Sequence, residues 1–269
     1  MSVRRTASVV RGETRIHETA IVHPEAELGE GVIVGPWAIV GPGVRIGDGT
    51  EVGPRVLIEK DTIVGEDCRL ANGAVLGTDP QDLKYRGERS HLEVGDRTVV
   101  REFATLNRGT AASGRTVVGT DCLLMAYTHV AHDCEIGNHV VLANAVNMGG
   151  HVIIEDWAIV GGLTPIHQFV RIGAHAFVGG GSRVPQDIPP SCRAAGNPPK
   201  LYGLNTVGLE RRGLSEEVRR ALKQAYRILF QSGERLSLAL ERAEAEVPSI
   251  PEVKHLIQFV RSSERGVTS

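Results

Sequence analysis

Five of the ten histidines fall between residues 129 and 167: His129, His132, His139, His151 and His167. Imidazole is the side chain that changes charge near neutral pH and the commonest metal ligand, so such a cluster points to proton transfer or metal binding. His132 is followed by Asp133, and a carboxylate beside an imidazole can fix its tautomer and support the cation formed when it takes a proton. Gly150 and Gln168 follow His132 at equal steps of 18 residues. Two chemistries compete for this set. Zinc would want three imidazoles converging at about 2.0–2.1 Å. Acyl transfer would want one metal-free histidine as base, with a backbone N–H such as that of Gly150 donating to an oxyanion.

The step of 18 has meaning only on a scaffold that repeats. Aliphatic residues return every six positions along Ile16, Val22, Leu28, Val34, Val40, Ile46, Val52, Ile58, Val64, Leu70 and Leu76. The register resumes at Val94, Val100 and Leu106, then runs from Val118 to Val184. A fixed short period of this kind is the mark of a solenoid. Each hexad supplies a short flat strand and a corner, and three hexads close one coil. His132, Gly150 and Gln168 then stack on successive coils, one strand spacing apart. Four residues after each anchor stands a small or branched side chain such as Ala20, Ala26, Val32, Ala38 or Val44, which suits a narrow core. Glycines after the anchors, including Gly29, Gly35 and Gly41, suit backbone angles that a side chain would make costly. The expected fold is a β-class parallel β-helix of eight to nine coils, about 40 Å long. Crossover chirality alone favours a right-handed path.

The hexads run over 16–190, after an N-terminal extension at 1–15. Two interruptions, 78–91 and 111–117, read as loops thrown out from the prism; the first is dense in polar residues. Loops on a rigid scaffold are where function concentrates. Residues 191–269 form a C-terminal segment in which the period turns helical. Ser215 is placed to cap a helix that starts with Glu216 and Glu217 and ends at Gly233. A second helix is expected over 234–246, and a third from Pro251, where proline suits the first turn. The first helix carries an apolar stripe of Val218, Leu222, Ala225 and Leu229 beside a basic one of Arg219, Arg220, Lys223 and Arg227. That basic stripe is either a solvated face or a dock for an acidic partner.

A formal charge of −2 implies no global attraction to nucleic acid or anionic membrane. Cys68, Cys122 and Cys134 occupy the small inward position, and Cys192 stands apart, so buried thiols are expected ahead of disulfides. The first residues carry Arg4 and Arg5 without an apolar stretch of signal-peptide length. No run approaches the ~20 apolar residues of a membrane span. A cytoplasmic protein is expected.

Several segments are more specific than the hexads: Gln81-Asp82-Leu83-Lys84-Tyr85 with Gly87-Glu88, Arg108-Gly109-Thr110, His129-Val130-Ala131-His132-Asp133-Cys134, His167-Gln168-Phe169, and Gly208-Leu209-Glu210-Arg211-Arg212-Gly213. In these the chain resembles the acyl carrier protein–UDP-N-acetylglucosamine O-acyltransferases that begin lipid A synthesis. The resemblance implies a left-handed β-helix with a C-terminal helical domain, and a homotrimer with active sites between subunits. It implies direct transfer of a 3-hydroxyacyl chain from acyl carrier protein to the 3-position of UDP-N-acetylglucosamine, with no cofactor and no metal.

Carried over position by position, the resemblance makes His132 the general base, Asp133 its orienting partner and Gly150 the oxyanion donor. Asp82, Lys84, His129, His151, His167, Gln168, Asn205 and Arg212 match positions that bind or place the substrate. Arg211 with Arg219, Arg220 and Lys223 would face acidic acyl carrier protein. Gly180 matches a position that limits acyl length, where glycine implies room for a long chain, and Pro198 lies near the groove's far end.

Asn107 and Val207 depart from the family pattern, which has histidine and an acidic residue there. The departures leave room for a 3-amino sugar as acceptor, or for a silent hexapeptide scaffold. A metal-dependent lyase of the carbonic anhydrase type is the remaining alternative. Its pair of histidines stands four residues apart, unlike His129 and His132.

Overall fold

The structure is a computed structural model that describes residues 12–269. The first eleven residues of the expected N-terminal extension lie outside the described residues. The first strand, Arg15–Ile16, already belongs to the repeat.

Most strands of the repeat are two residues long, and from Ile33–Val34 onward the second residue faces inward and is buried. Strands of one face pair in parallel with the strand one coil away, as in Ile39↔Leu57 and Val141↔Ile159. Three sheets result, each built from every third strand. Together they form a left-handed parallel β-helix, opposite to the sense that crossover chirality favours. The core is the stack of anchors and the small residues between them, such as Ala38, Val44, Cys68, Ala74, Val146 and Ala158. Each fully buried Val, Leu or Ile contributes about 1.5–3 kcal/mol relative to exposure.

The corners reveal a second period. Backbone φ is positive every sixth residue, and many of these residues are not glycine: Trp37, Arg55, Asp61, Asp67, Asp133, His139, His151, Trp157 and Phe169 among them. The glycines that follow the anchors answer a different need from the one expected of them. The φ of Gly29, Gly35 and Gly41 is not in the left-handed region. A Cβ on Gly41 would lie 1.4 Å from the Glu59 carbonyl oxygen, so it is the neighbouring coil that forbids a side chain there.

Two excursions leave the prism. Strands Val75–Thr78 and His91–Val94 bracket the first, over 79–90. The second lies at 108–114, earlier than the expected 111–117, because Arg115–Val118 is itself a four-residue strand paired to His91–Val94. Arg108, 1% exposed, anchors the first excursion to the prism. Its guanidinium reaches Asp79, the Gly77 carbonyl, the Tyr85 hydroxyl and Glu59.

The last coil passes into an antiparallel hairpin, Cys192–Gly196 with Pro199–Leu204. Four helices follow: α1 (Thr206–Arg211), α2 (Glu216–Gln231), α3 (Leu236–Glu246) and α4 (Pro251–Arg261). The Ser215 hydroxyl accepts from the Val218 N–H and caps α2. α3 starts at Leu236, two residues later than expected, after an Arg235 that offers no side-chain cap. Ala221, Leu222, Ala225, Tyr226, Ile228 and Leu229 bury one face of α2 against α3 and α4. The helices dock on the prism through His255, whose Nε2 lies 2.7 Å from Glu155, and through Arg171, which stacks over Phe259 at 4.1 Å. The hydrogen bond to Glu155 raises the pKa of His255. All four cysteines are free and buried. Burial pushes the Cys134 thiol up to about 12. Among the described residues no helix is long and apolar enough to cross a membrane.

Candidate active site

His132 and Asp133 sit at a corner of the prism, Asp133 at φ 59°. This backbone region is uncommon for a residue with a side chain, and is tolerated where the surroundings hold it. Here the corner is held from several sides. The Thr110 N–H donates to Asp133 Oδ1 at 2.9 Å, the Thr110 hydroxyl to Oδ2 at 2.8 Å, and the Ser113 hydroxyl to Oδ1. The Asp133 N–H donates to the Thr116 hydroxyl at 2.9 Å.

His132 Nδ1 lies 2.7 Å from Asp133 Oδ2. Burial would raise the carboxyl pKa, but hydrogen bonds from Ser113, His132 and Thr110 outweigh it and bring Asp133 to about 2. An ionised carboxylate only accepts, so His132 Nδ1 carries the proton. In the neutral ring Nε2 is then left as a lone pair, the form a general base needs.

Gly150 lies one coil on, directly against this ring. A Cβ there would come within 2.4 Å of His132 Cε1 and 2.6 Å of Nε2, so only glycine fits. Among the described residues the Gly150 N–H donates to no acceptor, which leaves it free beside the His132 ring. His151, at φ 60°, sets its ring edge-on to His132 at 5.3 Å and flat on Phe169 at 4.6 Å. His129 Nδ1 lies 2.7 Å from the Thr105 hydroxyl, and burial followed by the nearness of His132 lowers its pKa.

This arrangement sits on a chain with many relatives. A family profile described as UDP-N-acetylglucosamine O-acyltransferase, domain 2, matches residues 187–268, and a bacterial transferase hexapeptide profile matches 43–78 and 115–150. The acyl-[acyl-carrier-protein]–UDP-N-acetylglucosamine O-acyltransferase of Myxococcus xanthus is 52% identical over 201 residues, 74% of this chain and 78% of that protein. The chain belongs to that acyltransferase family. Two solved relatives show how far the shape is shared. LpxA of Acinetobacter baumannii matches with a TM-score of 0.92 and 40% identity over 94% of this chain and 99% of its own. LpxA of Bacteroides fragilis matches with 0.92 and 42% over 94% and 100%.

The structure brings together His129, His132, Asp133, Gly150 and His151, with Gln168 one coil beyond Gly150. Gln168 and His167 are exposed, and His167 Nδ1 faces the Gln168 carbonyl at 3.1 Å. Asp82 and Lys84 lie on the first excursion, where Asp82 accepts from the Lys84 N–H at 2.9 Å and Lys84 is exposed.

Asn205 and Arg212 lie apart from the His132 cluster, in a groove of about 480 Å³ that Trp157, Phe177, Arg193, Val207 and Arg211 also line. Arg212 stacks over Trp157 at 5.0 Å. The side chain of Asn205 caps α1 through the Gly208 N–H and donates to the His175 carbonyl at 3.0 Å, so it shapes the groove as much as it faces it. Arg211, Arg220 and Lys223 are exposed, while Arg219 is half-buried and 3.8 Å from Glu210. Gly180 and Pro198 are exposed, and a Cβ on Gly180 would meet the Gly162 carbonyl of the preceding coil at 3.1 Å.

Asn107 is buried and turned to the first excursion. Its Nδ2 donates to the Thr78 hydroxyl at 2.7 Å and to the Asp79 carbonyl at 2.9 Å. The residues that sequence reasoning did not assign are Thr110, Ser113, Thr116 and Phe169. Thr110 and Phe169 lie inside the specific motifs, which was signal enough to suspect them. Ser113 had only its place in a loop.

Proposed function

We propose that the chain transfers a 3-hydroxyacyl group from acyl carrier protein to the 3-hydroxyl of UDP-N-acetylglucosamine, the step expected to open lipid A synthesis. The observation that carries this is the His132 ring, with Nδ1 committed to Asp133, lying directly over Gly150. Relatives named for the same activity support it.

His132 Nε2 takes the proton of the sugar hydroxyl as that oxygen attacks the thioester carbonyl. The free N–H of Gly150 donates to the oxyanion. When the intermediate collapses, the C–S bond breaks, and the imidazolium returns its proton to the departing thiolate of the carrier. General-base catalysis contributes ~10²- to 10⁴-fold, and one oxyanion donor about 10²- to 10³-fold. Positioning supplies much of the remainder. We assign that role to the first excursion and to the Asn205 and Arg212 groove, with Arg211 and the exposed arginines of α2 receiving the acidic carrier. A homotrimer would bring the groove of one subunit beside the His132 cluster of the next. The cytoplasm, where acyl carrier protein resides, is the expected site of action. By the resemblance, Gly180 and Pro198 lie along the acyl path, and chains longer than ten carbons are expected there.

The test is a transfer assay with 3-hydroxyacyl carrier protein and UDP-N-acetylglucosamine in the presence of a chelator. Product at a rate proportional to protein is expected. No product, or transfer only to a 3-amino UDP-sugar, would overturn the reading.

A further inference from the structure

Asp133 carries its charge where water barely reaches: its side chain is 1% exposed. The hydroxyls of Thr110 and Ser113 and the N–H of Thr110 solvate it, but none of these is a cation. Among the described residues no lysine or arginine comes within ion-pair distance of it. The partners that could become positive are His132 at 2.7 Å and His151 at 3.7 Å. Buried charges are ordinarily paired or bound to a metal.

One donor atom from each of His132, Asp133 and His151 lies within 4.8 Å of the other two. Two imidazoles and a carboxylate are a ligand set that zinc and its neighbours accept, with a fourth position left to water. The set is also braced from behind. Phe169 stacks flat on His151, and three donors pin Asp133, so the side chains need little ordering to close on an ion.

We propose that this chain binds one divalent transition ion of the zinc class through His132, Asp133 and His151, and that binding silences acyl transfer. The ion takes the Nδ1 lone pair of the neutral ring, whose one proton shifts from Nδ1 to Nε2. With a dication on one ring nitrogen, the other no longer takes a hydroxyl proton. Magnesium prefers octahedral oxygen sites and finds only one carboxylate here, so it does not compete. Silencing rests on the reading of His132 as the base, whereas binding rests on the geometry alone.

The experiment uses the full chain, stripped by chelator and dialysed. Zinc chloride is titrated calorimetrically, and the same preparations are assayed for transfer. One zinc per chain is expected, weakened about tenfold or more by His151→Gln and unchanged by His139→Gln. Zinc is expected to cut transfer at least tenfold, with full recovery on adding chelator and no response to magnesium chloride. No zinc uptake, or uptake that His151→Gln leaves untouched in a chain whose circular dichroism is native, overturns the site. Uptake at this site with transfer undiminished overturns the silencing. A chain that transfers only when zinc is present overturns both the silencing and the metal-free mechanism, and zinc binding in calorimetry keeps that outcome distinct from a failed site.

Discussion

Two corners of the prism carry nearly the same sequence of side chains with different partners. At one, Asp133, His151 and Phe169 stack at steps of one coil; at the other, twelve residues earlier, Asp121, His139 and Trp157 do the same. Their backbones agree, with φ of 59°, 60° and 64° against 55°, 56° and 65°. Both imidazoles lie flat on the aromatic ring of the next coil, at 4.6 Å and 3.8 Å. The differences are two. Arg97 holds Asp121 with a pair of hydrogen bonds at 2.8 and 2.7 Å, whereas among the described residues no guanidinium meets Asp133. Before Asp121 stands Thr120, and before Asp133 stands His132. The coil supplies the same platform twice, and in the proposed mechanism the imidazole placed before one carboxylate makes that copy the proton acceptor. The next coil answers in kind: Asn138 fits above the short Thr120, while only Gly150 fits above the His132 ring.

The comparison breaks most directly at His132. His132→Ala is expected to lower transfer by ~10²- to 10⁴-fold with the melting curve and circular dichroism retained. Thr120→Ala at the counterpart corner should leave the rate within about twofold, since that hydroxyl donates to Asn138 and bonds no histidine. More than a tenth of the wild-type rate left in His132→Ala would remove the base.

Next in size is Gly150→Ala, whose methyl must displace the ring. We expect a fall in kcat of up to ~10²-fold with a smaller change in KM, because a misplaced base costs rate before it costs binding.

Acid unfolding sharpens the comparison on the stability side. The folded pKa of Asp133, about 2, lies below the ordinary value of 3.8. Its contribution is therefore present above about pH 4 and is lost as pH falls through the folded pKa, to an extent of roughly 2 kcal/mol. In Asp133→Asn, the drop in unfolding free energy between about pH 5 and pH 2 should shrink by that order, as read from urea titrations. An unchanged acid limb would contradict the account of its hydrogen bonds. The smallest effect belongs to Arg97→Ala. Solvent screens an exposed pair of this kind, so the melting point should barely move and transfer should not change.

The period of six, read from the chain alone, placed His132, Gly150 and Gln168 on one level of successive coils, because a strand of fixed length and a corner of fixed shape leave no freedom of phase. What the period could not carry were contacts between coil and excursion. Thr110 and Ser113 reach Asp133 from a segment outside the repeat, and no spacing rule links residues 110 and 113 to 133. The hairpin after Cys192 and the short α1 were equally silent, since they follow neither the hexad nor a long helical stripe. The glycines were located correctly, but the reason expected for them was not the one that holds. A sequence shows where a side chain is missing, and the neighbouring carbonyl that forbids it, as at Gly41 and Glu59, is a fact of three dimensions.

The antiparallel hairpin at the end of the coils has a consequence for behaviour in concentrated solution. A column of parallel strands that stopped at its last rung would present a row of open donors and acceptors, the template from which fibres grow. Here Cys192–Gly196 pairs with the final coil strand on one side and with Pro199–Leu204 on the other, and the chain reverses direction. That reversal cannot be copied by another coil of the same sense. It gives the column a finished end, and so favours discrete particles over filaments.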